Sequence, residues 1–126
     1  MNKKFIVPFD TAQQLREKGY PQESDSFQEC DMYYYDDGEL EAGIAVDTDD
    51  LEDCIYAPTY HDVVDWLEEK GIYITTCIDM LEVCGSGKIK WACFIFPFGG
   101  KETSIGGKHT REQALNASIL KALEML

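Results

Sequence analysis

The sequence predicts a single two-layer α+β domain over residues 1–126, with an antiparallel sheet built from two hairpins, a short N-terminal strand and three helices. Three observations carry this. Two segments, 58–71 and 110–126, have apolar stripes at helical spacing behind capping residues. An Asp-Gly pair at Asp37-Gly38 stands between two short alternating runs, and two longer β-rich runs flank Cys84-Gly85-Ser86-Gly87.

Taken in order, Phe5, Val7 and Phe9 alternate like a short strand. Asp10 with Gln13 three residues on has the form of a capping box, so a helix is expected over about Thr11 to Lys18. Gly19 suits a left-handed C′ position and Pro21 prevents continuation. Next, Met32 to Tyr35 and Leu40 to Ile44 flank Asp36-Asp37-Gly38-Glu39. A two-residue type I′ turn at Asp37-Gly38 would set Tyr35 opposite Leu40 and Tyr33 opposite Ala42.

Pro58-Thr59 opens the clearest helix, in which Tyr60, Val63, Val64 and Leu67 form one stripe and Lys70-Gly71 closes the last turn. Residues 72–83 and 88–98 then read as long strands. The even loop length between them places Ile74, Ile78 and Met80 on one face with Trp91, Cys93 and Ile95. Tyr73, Cys77, Phe94, Phe96 and Phe98 collect on the other, so the hairpin has two partly apolar faces. Residues 99–109 read as a flexible Gly/Lys loop. Thr110 and Gln113 are a second capping-box candidate, ahead of a helix with Leu115, Ile119, Ala122, Leu123 and Leu126 on one side.

Charge is concentrated in one place. The chain has 24 Asp and Glu against 11 Lys and Arg, and residues 22–53 hold 13 of the acids with no Lys or Arg. That stretch alone accounts for the formal net charge of −13. Such an excess repels polyanions, so no direct nucleic-acid binding is expected. The longest apolar run, Trp91 to Phe98, is far short of the ~20 residues a spanning helix needs, so no membrane association is expected either. Five cysteines, odd in number and without a C-x-x-C pair, fit reduced thiols and a cytoplasmic setting.

Candidate chemistry is sparse. Asp47 and Asp49 have the alternation of a Ca²⁺ loop, but Leu51 breaks it, so Asp47, Asp49, Asp50, Glu52 and Asp53 read as a solvated acidic loop and a candidate contact for a basic protein. Gly106, Gly107, Lys108, His109 and Arg111, just ahead of a helix, are a candidate anion site. They do not make a P-loop, because Glu102 and His109 stand where that motif needs glycine and Ser or Thr. His61 and Asp65 share a helix face but offer only two ligands, so a solvent-facing histidine is expected. Tyr33, Tyr34 and Tyr35 must alternate faces on a strand, which argues against a base-stacking platform. No nucleophile-and-base pattern, cofactor motif or metal set is legible, and none is expected. The aromatic face of Tyr73, Phe94, Phe96 and Phe98 is a candidate partner surface or homodimer contact.

Residues 57–70 with Ile72-Tyr73-Ile74, and Thr110 to Leu115 through Ala122-Leu123, resemble segments of small α+β proteins of gut-bacterial genomes and their phages or mobile elements. That group brings no known activity, cofactor or catalytic residue. The resemblance implies only an accessory protein of unknown role. The concentrated acidity of residues 22–53, the doubly apolar hairpin and the lack of a catalytic set point to a non-catalytic module acting by protein contact, with a small anion- or nucleotide-ligand-binding domain using the loop at 106–111 as the alternative.

Overall fold

The computed structural model describes residues 5–22, 32–42, 54–79, 84–85 and 87–126. The described residues form an α+β architecture with three helices and two antiparallel three-stranded sheets. The two expected hairpins thus stand in separate sheets, each completed by a third strand. The chain divides into two compact units, residues 1–59 and 60–126. The charge divides with it. The first unit holds 15 acids and 4 bases, the second 9 acids and 7 bases.

In the first unit, helix α1 spans Phe9–Glu17, and strands β1 (Met32–Tyr34), β2 (Leu40–Ala42) and β3 (Ile55–Tyr56) form a sheet in the order β2-β1-β3. The expected N-terminal strand shrinks to one bridge, Ile6 to Thr59, with the Val7 N–H donating to Pro58 O at 3.0 Å. Ile6 and Val7 are consecutive and both buried, which a half-buried strand of period two does not allow. The Asp10–Gln13 capping box does not form, because the helix starts two residues earlier than expected with Pro8 at the N-cap. Pro8 has φ −62° and ψ 161°, a conformation its ring favours, and Asp10 falls in the first turn where the helix dipole favours an acid. The C-terminus follows the sequence signal. Gly19 has φ 89°, its N–H donates to Arg16 O, and the Tyr20 N–H donates to Leu15 O at 2.9 Å, which is a Schellman motif.

The first hairpin is shifted by one residue from expectation. Tyr34 pairs with Leu40 and Tyr33 with Glu41. Among Asp36, Asp37 and Gly38 only Gly38 has positive φ, so a type I′ turn is excluded. Instead Tyr35 and Glu39 close a three-residue loop: the Tyr35 N–H donates to Glu39 O at 2.8 Å and the Gly38 N–H to Tyr35 O at 2.9 Å. The one-residue slip exchanges the faces. Tyr34, not Tyr33 or Tyr35, enters the core, where it meets Phe9 edge-on at 5.4 Å and donates its hydroxyl to Val7 O at 2.7 Å. Tyr33 packs on Tyr56, which stacks on Tyr20. The tyrosine triplet is therefore largely consumed in packing.

Burial pushes the Tyr34 phenol above the ordinary tyrosine value of 10.0. The native state keeps this proton at pH values where the unfolded chain has begun to lose it. Stability from this group is therefore complete below pH 10 and falls as pH rises through the folded value. Tyr34→Phe is expected to cost about 1–2 kcal/mol at neutral pH, by orphaning the Val7 carbonyl, and to flatten the alkaline limb of the stability profile. Urea unfolding at several pH values measures both.

In the second unit, α2 (Tyr60–Glu69) leads into β4 (Ile72–Ile78), β5 (Trp91–Pro97), β6 (Thr103–Lys108) and α3 (Arg111–Glu124), with strand order β4-β5-β6. Gly71 has φ 86° between α2 and β4, and Lys70 lies 5.5 Å from the centroid of the Trp66 ring, a cation–π contact. The β4–β5 register has the expected parity, pairing Ile74 with Ile95 and Ile78 with Trp91. Both helices cover the face of Ile72, Cys93 and Ile95, which are buried together with Val63, Leu67, Ile119 and Leu123. The buried stripe of α3 is Ala114, Ser118, Ile119, Ala122 and Leu123, in place of one containing Leu115 and Leu126. Small side chains at 114, 118 and 122 let the helix lie close to β5, and Ser118 satisfies its buried hydroxyl by donating to Ala114 O at 2.8 Å. The Thr110–Gln113 capping box forms as expected.

Residues 103–108 are not a loop, as the sequence suggests, but the third strand of this sheet. Serine, glycine and lysine have poor strand propensity, and β5 supplies the pairing that propensity does not.

Candidate functional site

Two candidate regions lie in the second unit. The first is the former anion candidate. Between Trp91↔Lys108 and Cys93↔Ile105 the register shifts, so Gly106 and Gly107 together oppose Ala92 in a β-bulge. Gly107 has φ 70°, and its N–H donates to Asp79 Oδ2 at 2.9 Å. A Cβ at Gly106 would meet the same oxygen at 2.5 Å, so a side chain there would push the Asp79 carboxylate aside. Asp79 lies just beyond β4, and its N–H donates to Lys90 O at 2.8 Å. Its carboxylate thus reaches past β5 to the bulge, across Ala92, whose side chain is a single methyl.

The backbone donor expected to meet an external anion is therefore already bound to an internal one. One nearby cation, Lys90, is also engaged. Lys90 Nζ donates to His109 Nδ1 at 2.8 Å. The backbone N–H groups of His109 and Thr110 both donate to Gln113 Oε1. Arg111 lies near enough to Cys93 to act on its thiol electrostatically. The sequence points to Lys108, His109 and Arg111 here but not to Asp79 and Lys90, because their approach depends on a bulge that spacing does not reveal. Asp79→Ala is expected to lower stability by about 1 kcal/mol through loss of the Gly107 bond. In chemical denaturation Asp79→Asn, which keeps an acceptor oxygen, should recover most of it.

Burial pushes the Cys93 thiol up, offset in part by the polar Ser118 hydroxyl and by Arg111. It is a fully buried core group and not a poised nucleophile. Cys77, Cys84 and Cys93 are free thiols. His61 and Asp65 form an exposed i,i+4 pair at 3.4 Å, the solvent-facing arrangement expected. Among the described residues no group of three or more His, Cys, Asp or Glu side chains is placed to hold a metal ion, and no helix is long and apolar enough to cross a membrane. Asp47, Asp49, Asp50, Glu52 and Asp53 lie outside the described residues.

The second region is the outer face of the sheet, turned away from α2 and α3. Tyr73 is directly opposite Phe96 in the β4–β5 register, and Phe94 stacks on Phe96 with centroids 6.4 Å apart. Tyr73 is 45% exposed, Phe96 41% and Phe98, just past β5, 91%. Next to them, Lys70, Gly71, Tyr73, Pro97, Phe98 and Met125 line an open depression of about 410 Å³. Tyr73, Phe94 and Phe96 share this face, as the strand parity predicts, and Phe98 lies past the end of β5 beside the depression. Asp79 and Lys90 make the far end of the face polar. No protein-family model, curated protein or solved structure matches the chain.

Proposed function

We propose that this protein is a non-catalytic module that works by contact with another protein, and that the outer face of the β4–β5–β6 sheet is its contact surface. The observation that carries this is the exposed aromatic cluster Tyr73, Phe96 and Phe98 on a face that neither helix of its own unit covers. Neighbouring large apolar side chains left in water mark interaction sites, because burying them against a partner is favourable by roughly 25 cal/mol per Å². The acidic segment 22–53 is a second, electrostatic contact for a basic partner in the same proposal. A cytoplasmic setting fits the free thiols. A phage or mobile-element accessory role is the context the sequence resemblance adds.

The two surfaces separate by salt. Contacts through the acidic segment weaken as salt screens them, whereas apolar contacts through the aromatic face persist. Affinity capture with the wild-type chain and with Tyr73→Ser/Phe96→Ser/Phe98→Ser, at low and high salt, is expected to retain a protein that survives high salt and is lost from the triple variant. Identical retention by both chains would refute the aromatic face as the contact.

A further inference from the structure

We infer that β4 is the pairing edge of a homodimer, in which two copies of this chain join β4 to β4 antiparallel about a two-fold axis at Thr75 and make one six-stranded sheet. The two outer edges of the β4-β5-β6 sheet are built differently. The β6 edge is broken by the Gly106-Gly107 bulge and ends on Lys108, devices that discourage pairing. The β4 edge has none of them. Ile72-Tyr73-Ile74-Thr75-Thr76-Cys77-Ile78 is regular over seven residues, with no charge, proline, glycine or bulge, and consists almost entirely of residues favoured in strands.

The hydrogen-bond phase identifies which backbone groups this edge offers. Gly71 O accepts from the Phe98 N–H at 2.7 Å and the Asp79 N–H donates to Lys90 O at 2.8 Å, so odd-numbered residues turn their backbone groups toward β5. Ile72, Ile74, Thr76 and Ile78 therefore turn theirs to the outer edge. Among the described residues no strand bonds to them.

The strand is also complementary to itself. A two-fold at Thr75 sets Ile72 against Ile78 of the partner subunit, Ile74 against Thr76 of the partner subunit, and Thr75 against Thr75 of the partner subunit. Every outward-pointing residue then meets another outward-pointing residue, as an antiparallel ladder requires. Ile78, 42% exposed in one copy, gains an isoleucine neighbour, and the central threonines form a favourable cross-strand pair. No like charges face each other within the strand. This pairing does not rest on the proposed aromatic contact. It leaves that face open and places two copies of it side by side.

Salt gives the pairing a signature. Each copy has a formal charge of −13, so the copies repel at long range and added salt strengthens their association, the reverse of binding to a basic partner. Sedimentation velocity of the full chain should show a concentration-dependent dimer that tightens from low to high salt, with amide exchange protected at Ile74 and Thr76. Thr75→Lys, at an exposed position, opposes two lysines on the axis and should weaken the dimer by about fivefold to tenfold. Mixing Thr75→Lys with Thr75→Glu should restore association as a heterodimer. Thr76→Pro removes an outward N–H that β5 does not use, and should abolish the dimer while the far-UV spectrum stays native. A wild-type chain that stays monomeric at both salts would overturn the inference and leave the edge to an extended segment of another protein. A dimer indifferent to all of these substitutions would overturn it as well.

Discussion

Replacing Ile95 by alanine is expected to destabilise the unit of residues 60–126 by about 3 kcal/mol. Ile95 lies at the middle of the central strand, pairs with Ile74 on one side and Thr103 on the other, and is 0% exposed beneath the helices. Truncation removes its transfer free energy and leaves a cavity, because β5 is held by ladders on both sides and cannot move in to fill it. The neighbouring Phe96→Ala removes more atoms but is expected to cost under about 1 kcal/mol, since Phe96 faces outward. The contrast between adjacent residues tests the register itself. A one-residue slip would exchange the two faces and reverse the order of the two losses. Urea unfolding of the two variants measures both.

Gly71→Val is expected to cost about 2–3 kcal/mol in the same measurement. Gly71 carries the turn from α2 into β4 at φ 86°, where a β-branched residue is strained, and a Cβ there would touch Phe98 Cβ at 3.4 Å. Its N–H donates to Glu68 O and its carbonyl accepts from Phe98, so the backbone cannot relax without breaking both bonds. Gly85 has no positive φ and no atom within 4 Å of an added Cβ. Gly85→Ala should change stability by no more than about 0.5 kcal/mol.

Much of the second unit was legible because its signals are local or parity-based. Thr110 and Gln113 make the capping box their spacing implies, Gly71 terminates α2, and the even loop fixes which side of the hairpin Ile95 and Phe96 occupy. The aromatic candidate surface followed from the same parity. The readings that differ depend on tertiary context. Asp10 has the identity of a cap, but Pro8 starts the helix earlier. Asp37-Gly38 has the identity of a type I′ turn, but Asp37 keeps negative φ and the loop grows by one residue, which reverses the faces of the tyrosine strand. Thr103 to Lys108 looks like a loop until β5 pairs with it.

The anion candidate shows the limit most clearly. Glycines, cations and a helix start do occur together at 106–111, as the sequence indicates. What spacing could not show is that Asp79, nearly thirty residues earlier, supplies a carboxylate to the Gly107 N–H. A bulge admits a partner from two strands away, and no period in the sequence reports it.

A contact role for the β4–β5–β6 sheet requires its outer face to be open to solvent in the isolated chain. Solvent relaxation from a neutral soluble nitroxide, read residue by residue in the NMR spectrum, measures that directly. Strong attenuation is expected at the ring protons of Tyr73, Phe96 and Phe98, with little at the methyl groups of Ile95 and Leu67. Ring protons on Phe96 and Phe98 as protected as the Ile95 methyls would show the face to be covered, and would contradict its assignment as a contact surface.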